Sequence, residues 1–122
     1  MFFRLALVSA VLTVAIACGG SDSPPAPSPT PAPNGTPVAI AKGAEFLGNQ
    51  AYSPDQVTIA VGASVTWTNT DTIAHTSTSD TNGWNSGNIV PGGQFSVAFP
   101  TAGTFAYHCT IHPGMVGSVV VH

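Results

Sequence analysis

From Val38 onward, apolar and polar positions alternate with a period of two. Val57-Thr58-Ile59-Ala60-Val61, Val65-Thr66-Trp67-Thr68 and Gln94-Phe95-Ser96-Val97-Ala98-Phe99 each read this way, and a Val-rich run over 116–121 closes the chain. Side chains on a strand point alternately to opposite faces, so each run describes a strand with one face toward a core. Between them lie Ser53-Pro54-Asp55, Gly62-Ala63, Asn69-Thr70-Asp71, Pro91-Gly92-Gly93 and Thr101-Ala102-Gly103, residues that favour tight turns. No stretch of this region has helical periodicity. The pattern predicts an all-β domain, a Greek-key sandwich or barrel, over 37–122. Such an architecture says nothing by itself about function.

The first residues follow another logic. Met1-Phe2-Phe3-Arg4 gives a positively charged start, and residues 5–17 are apolar except for Ser9 and Thr13. This run is shorter than the roughly 20 residues that a bilayer-spanning helix needs, so 1–17 reads as an export signal. Ala15-Ile16-Ala17 fits small-x-small cleavage, and with Cys18 it resembles a bacterial lipoprotein signal in which Cys18 is lipidated. That reading accounts for an unpaired Cys at the cut. Residues 18–36, CGGSDSPPAPSPTPAPNGT, offer little to bury and read as a semi-extended proline-rich tether. The expectation is an extracytoplasmic domain whose contact with the membrane is through a lipidated Cys18.

Composition narrows the function. Two basic residues against five acidic ones, for a net charge of −3, provide no basic patch with which to bind nucleic acid. A hydrophobic content of 43% is that of a folded chain.

The candidate chemistry sits in the last loop, Tyr107-His108-Cys109-Thr110-Ile111-His112-Pro113-Gly114-Met115, between two strand-like runs. One turn thus carries a thiolate, an imidazole and a thioether, and His75 adds an imidazole from upstream. Two His and one Cys in a plane with a weak axial Met form the ligand set of an electron-transfer copper site. Soft sulfur suits Cu(I) and imidazole suits both oxidation states, so His75, Cys109, His112 and Met115 are expected to hold one copper ion. His108 alternates to the face opposite Cys109 and reads as a surface residue. Asp55, Asp71 and Asp80 read as turn-formers.

Cys109-x-x-His112-x-x-Met115 with the upstream His75 resembles the cupredoxin family, and its plastocyanin- and amicyanin-like members in particular. The likeness extends through Tyr52-Ser53-Pro54, Val65-Thr66-Trp67-Thr68-Asn69, Trp84-Asn85-Ser86-Gly87, Gly103-Thr104-Phe105 and Gly117-x-Val119-x-Val121, covering nearly all of 37–122. It implies a cupredoxin sandwich, a blue copper ion and one-electron transport. Two positions depart from the family. Thr76 stands where Asn often follows the first His and ties that strand to the Cys loop. Ile111 stands where Pro often precedes the second His, and it keeps a backbone N–H that is expected to point at the Cys109 sulfur.

An enzyme is not expected. The resemblance of His108-Cys109 to multicopper oxidases stops at Thr110, where those proteins have a second His. A copper storage, delivery or sensing role could use the same ligands and is the alternative to electron transport. Redox partners are expected to dock on a monomer at the His112 surface, ringed by Ala74, Pro91, Pro113 and Gly114.

Overall fold

A computed structural model of the chain describes residues 35–122. The export signal, Cys18 and all of the tether up to residue 34 lie outside the described residues. The rest is almost entirely strand, as the two-residue period requires. The strands are β1 (Thr36–Ile40), β2 (Tyr52–Ser53), β3 (Gln56–Ile59), β4 (Ser64–Asn69), β5 (Thr78–Ser79), β6 (Gln94–Ala98), β7 (Gly103–His108) and β8 (Val116–Val121). Two short 3₁₀ turns, Ala44–Phe46 and Gly48–Gln50, lie between β1 and β2.

Four strands form one sheet in the order β2-β1-β4-β6 and four form the other in the order β3-β8-β7-β5. Both sheets are mixed: β1 runs parallel to β4 and β3 parallel to β8, while the remaining pairs are antiparallel. The all-β expectation holds.

The alternation sets the register. In β3, Val57 and Ile59 are buried while Gln56 and Thr58 face out. A register slip of one residue would send the buried pair to solvent, so the pattern fixes the pairing. Trp67, fully buried on β4, forms the centre of the core. Its ring lies 5.3 Å from Tyr107, 5.9 Å from Trp84 and 6.1 Å from Phe95. Val38, Ile40, Val65 and Val119 fill the space around these rings. Each such aliphatic side chain contributes about 1.5–3 kcal/mol by leaving water.

One glycine is required by close approach. A Cβ on Gly117 would lie 2.5 Å from the Tyr107 ring, so β8 can pass over that ring only without a side chain there.

The strand directions give the sandwich two distinct ends. β4 finishes at Asn69, and β7 finishes at His108 just before the Cys109 loop, so both lead to the same end. β1 begins at the other end, where Thr36 pairs with Val65.

Candidate metal centre

The upstream half of the site is built by Asn69. This buried side chain donates Nδ2–H bonds to the carbonyls of Ile73 and Ile89, both at 2.8 Å, and its Oδ1 accepts the N–H of Asp71 at 2.9 Å. Three bonds from one amide fix the loop over residues 69–75. His75 then exchanges backbone hydrogen bonds with Ile89, at 2.7 and 3.2 Å, and its ring is fully buried.

The downstream half is a closed turn. Cys109 N–H donates to the Met115 carbonyl at 3.1 Å, and Met115 N–H to the His112 carbonyl at 2.9 Å. These bonds fold the loop so that Cys109 and Met115 are buried and His112 is half-buried. Ligating atoms of His75, Cys109 and His112 all lie within 4.8 Å of one another. The two imidazole rings are 5.2 Å apart, inclined at 54°.

The chemistry of the donors shows what the arrangement fits. Nδ1 of His75 and Nδ1 of His112 are both buried without a hydrogen-bond partner in the protein. A buried polar atom with no partner costs about 1–3 kcal/mol. Here two of them, beside a buried thiol, are the nitrogens and sulfur that a soft or borderline metal ion takes as ligands. A copper ion satisfies all three at once.

His75 is aimed by Asp71. Its Nε2 lies 2.8 Å from Asp71 Oδ2, leaving Nδ1 free as the donor atom. A carboxylate on the far nitrogen of a metal-binding His fixes the tautomer and raises ligand basicity. The same bond, joined by the N–H of Thr72, holds the Asp71 carboxyl well below the usual carboxylate range. Glu45 also approaches this pair, with ligating atoms of Glu45, Asp71 and His75 within 4.8 Å of one another. Nε2 of His75 is already engaged by Asp71, and that bond orients the ring.

Cys109 Sγ accepts a hydrogen bond from the N–H of Thr76 at 3.2 Å. The N–H of Ile111, expected at this sulfur, makes no such bond among the described residues. The donor comes instead from the upstream segment, which crosses directly behind the thiol. Thr76 also supplies the tie that its replacement of Asn put in question: its Oγ1 accepts the N–H of Thr110 at 2.9 Å. Tyr52 braces the same residue by donating its hydroxyl to the Thr76 carbonyl at 2.5 Å. Burial, then the neighbouring Cys109 and Tyr107, push the Tyr52 phenol far up, so it stays a neutral donor.

Against these geometries, the comparisons with known proteins agree. The model for copper-binding proteins of the plastocyanin/azurin type matches residues 40–122. The chain belongs to the plastocyanin/azurin family. This cupredoxin is 35% identical to amicyanin-alpha of Methylorubrum extorquens, over 98% of this chain and 95% of that protein. It is 33% identical to plastocyanin of Scenedesmus fuscus, over 69% of this chain and 98% of that one. Among solved structures, a novel purple cupredoxin from Nitrosopumilus maritimus superposes with a TM-score of 0.65 at 35% identity, covering 71% of this chain and 99% of that one. His75, Cys109 and His112 of this cupredoxin therefore form a potential copper site.

Two residues that sequence reasoning took for plain turn-formers have more specific partners. Asp71 holds His75, and Asp80 pairs with His108, Oδ1 to Nδ1 at 2.5 Å. Asp55 does cap its turn, accepting the N–H of Gln56 at 2.9 Å. Nothing in the spacing of Asp71 and His75 announces their contact, because it depends on the loop that Asn69 folds. His108 is partly exposed on β7, on the opposite side from the buried Cys109, as the alternation predicts.

Proposed function

We propose that this cupredoxin is an extracytoplasmic one-electron carrier, whose single type 1 copper ion would be held by His75, Cys109, His112 and Met115. The observation that carries this reading is the pair of partnerless, buried Nδ1 atoms converging on the Cys109 thiol. Met115 supports it as the fourth ligand, being 1% exposed and backbone-bonded to both Cys109 and His112. When bound, copper supplies a one-electron redox couple.

The chain's own part is to hold its ligands still. Asn69, Asp71 and Thr76 fix the upstream donors by hydrogen bonds, and the two loop bonds fix the downstream ones. Little rearrangement then accompanies a change of charge at the site. Burial of His75 and Cys109 closes the site to substrate, which favours electron exchange over enzymic chemistry. In this reading the half-buried His112 is the point of electron exit, ringed by Pro91, Pro113 and Gly114, all exposed. Ile73, Val90 and Ile111, 39%, 58% and 45% exposed, would extend that face with apolar side chains. It suits brief, small-area contact between a monomer and its redox partners.

Residues 1–17 as an export signal and Cys18 as a lipid anchor complete the reading. Among the described residues no helix is long and apolar enough to cross a membrane. Adding Cu(II) to the protein is expected to give an intense thiolate-to-copper band in the visible, bleached by ascorbate and absent from Cys109→Ser. A colourless protein, or colour that survives the substitution, would overturn the assignment.

A further inference from the structure

Two loops leave the sandwich side by side at the metal-bearing end. β1 and β4 run parallel with Ile40 opposite Asn69, so the segments that follow them start as neighbours. The Ile40 carbonyl accepts both the N–H and the hydroxyl of Thr70, at 3.0 and 2.6 Å. Gly43, at a φ of 71°, then turns the first of these segments into its 3₁₀ turns. The Phe46 N–H donates to the Gly43 carbonyl and the Leu47 N–H to the Ala44 carbonyl, both at 3.0 Å, with Ala44 fully buried. Glu45 sits inside this closed turn, so its place is set by the backbone.

The turn delivers a second carboxylate behind His75. A Glu45 oxygen lies within 4.8 Å of both the Asp71 carboxylate and a ring nitrogen of His75. Oε2 of Glu45 is buried and has no hydrogen-bond partner among the described residues. Lys42, the one formal cation among these residues, forms no ion pair with either acid. Neighbouring carboxylates repel each other, and a carboxylate oxygen shut away from water without a partner costs further free energy. A glutamine would fill the same space without the repulsion. What the two acids share is His75, which is a copper ligand under the proposed function. Cu(II) held by one thiolate and two neutral imidazoles carries a net positive charge, and Cu(I) held by the same set carries none. An anion fixed close by therefore favours the oxidised ion.

We infer that Glu45 is a positioning residue of the copper centre, whose carboxylate beside Asp71 acts through His75 to lower the reduction potential. The inference rests on the proposed copper site and adds to it a residue from a loop that carries no ligand. The two acids divide the work. Asp71 holds the ring by a direct bond, so its loss disturbs ligand direction and affinity. Glu45 makes no bond to the ring and acts by charge, so its loss alters the balance of oxidation states while the ligands keep their places.

The test is voltammetry of the copper-loaded protein beside Glu45→Gln and Glu45→Asp. Glu45→Gln keeps the shape and removes the charge. It should weaken the preference for Cu(II) over Cu(I) about three- to tenfold, a rise of about 30–60 mV at about 59 mV per tenfold. Glu45→Asp keeps the charge and should stay close to the parent. The thiolate-to-copper band should hold its position in both, because no ligand moves. Metal-free Glu45→Gln should melt no lower than the parent, since it relieves a repulsion. An unchanged or lower potential in Glu45→Gln, with the band intact, would overturn the inference and leave the copper site standing. So would a Glu45→Asp potential that follows Glu45→Gln, or a lower melting point for metal-free Glu45→Gln, since either makes Glu45 a packing residue. A parent chain that stays colourless with Cu(II) would sink the copper site and this inference together.

Discussion

The carboxylate of Asp71 accepts from the His75 ring and from the Thr72 N–H, so it sets the direction of a ligand and the charge behind it. Asp71→Asn keeps the shape and removes the charge. Copper affinity is expected to fall by about 10–100-fold, as for other partners that orient a metal-binding His. A competition titration against a chelator measures this. The reduction potential should rise, because the lost anion favoured the more positive, oxidised metal; voltammetry that shows an unchanged or lower potential would contradict this role. The pH dependence follows from the same bond. The folded carboxyl titrates below its unfolded value of about 3.9, so its contribution to stability is complete above that pH. It is lost as the pH falls through the lower, folded value. Denaturant titrations of the metal-free protein should therefore find the gap in stability between wild type and Asp71→Asn constant above about pH 5 and closing only in strong acid.

At the scale of elements, β8 over Tyr107 is the contact with the least room. Gly117→Ala would place a methyl 2.5 Å from a ring that is itself wedged between Tyr52 and Trp67, with centroids at 4.7 and 5.3 Å. Overpacking of this kind costs about 1–3 kcal/mol, and a lowered thermal midpoint would register it. This close contact also shows how far the sequence could be read. The strands β3, β4, β6 and β7 are legible because each alternates, β8 because it is a Val-rich run, and three metal-centre residues are legible because one short loop carries two of them. The partners of those residues are not. Thr76 at the Cys109 sulfur and Asp71 at His75 meet only because β4 ends in Asn69, whose amide bonds fold the next loop, and tertiary folding of that kind leaves no period in the chain. Strand β5 and the 3₁₀ turns were hidden for a related reason: they are too short to show one. The Ile111 N–H failed as a donor to sulfur because availability of a group is no guide to its direction.

For the molecule as a whole, the sparse charge decides how it meets a partner. The described residues carry only Lys42, Glu45, Asp55, Asp71 and Asp80 as formal charges. Asp71 is buried against His75, and Asp80 is paired with His108. Lys42 and Glu45 share one short loop and oppose each other in sign. The exposed side chains of the proposed docking face, Ile73, Val90 and Ile111, are apolar. Long-range steering needs a sustained field of one sign, and rates that depend on it fall steeply as salt rises. This surface has no such field to screen. Raising ionic strength from about 0.01 M to about 0.15 M contracts the Debye length from about 30 Å to about 8 Å, yet the association rate with a redox partner should barely change. Stopped-flow measurement across that range is the check. Ile111→Lys, which places a charge on the proposed docking face without replacing a ligand, should make the rate salt-dependent in the same assay. If the unaltered protein already slows steeply with salt, partners dock on some other, charged surface, and the apolar face around His112 is not the electron port.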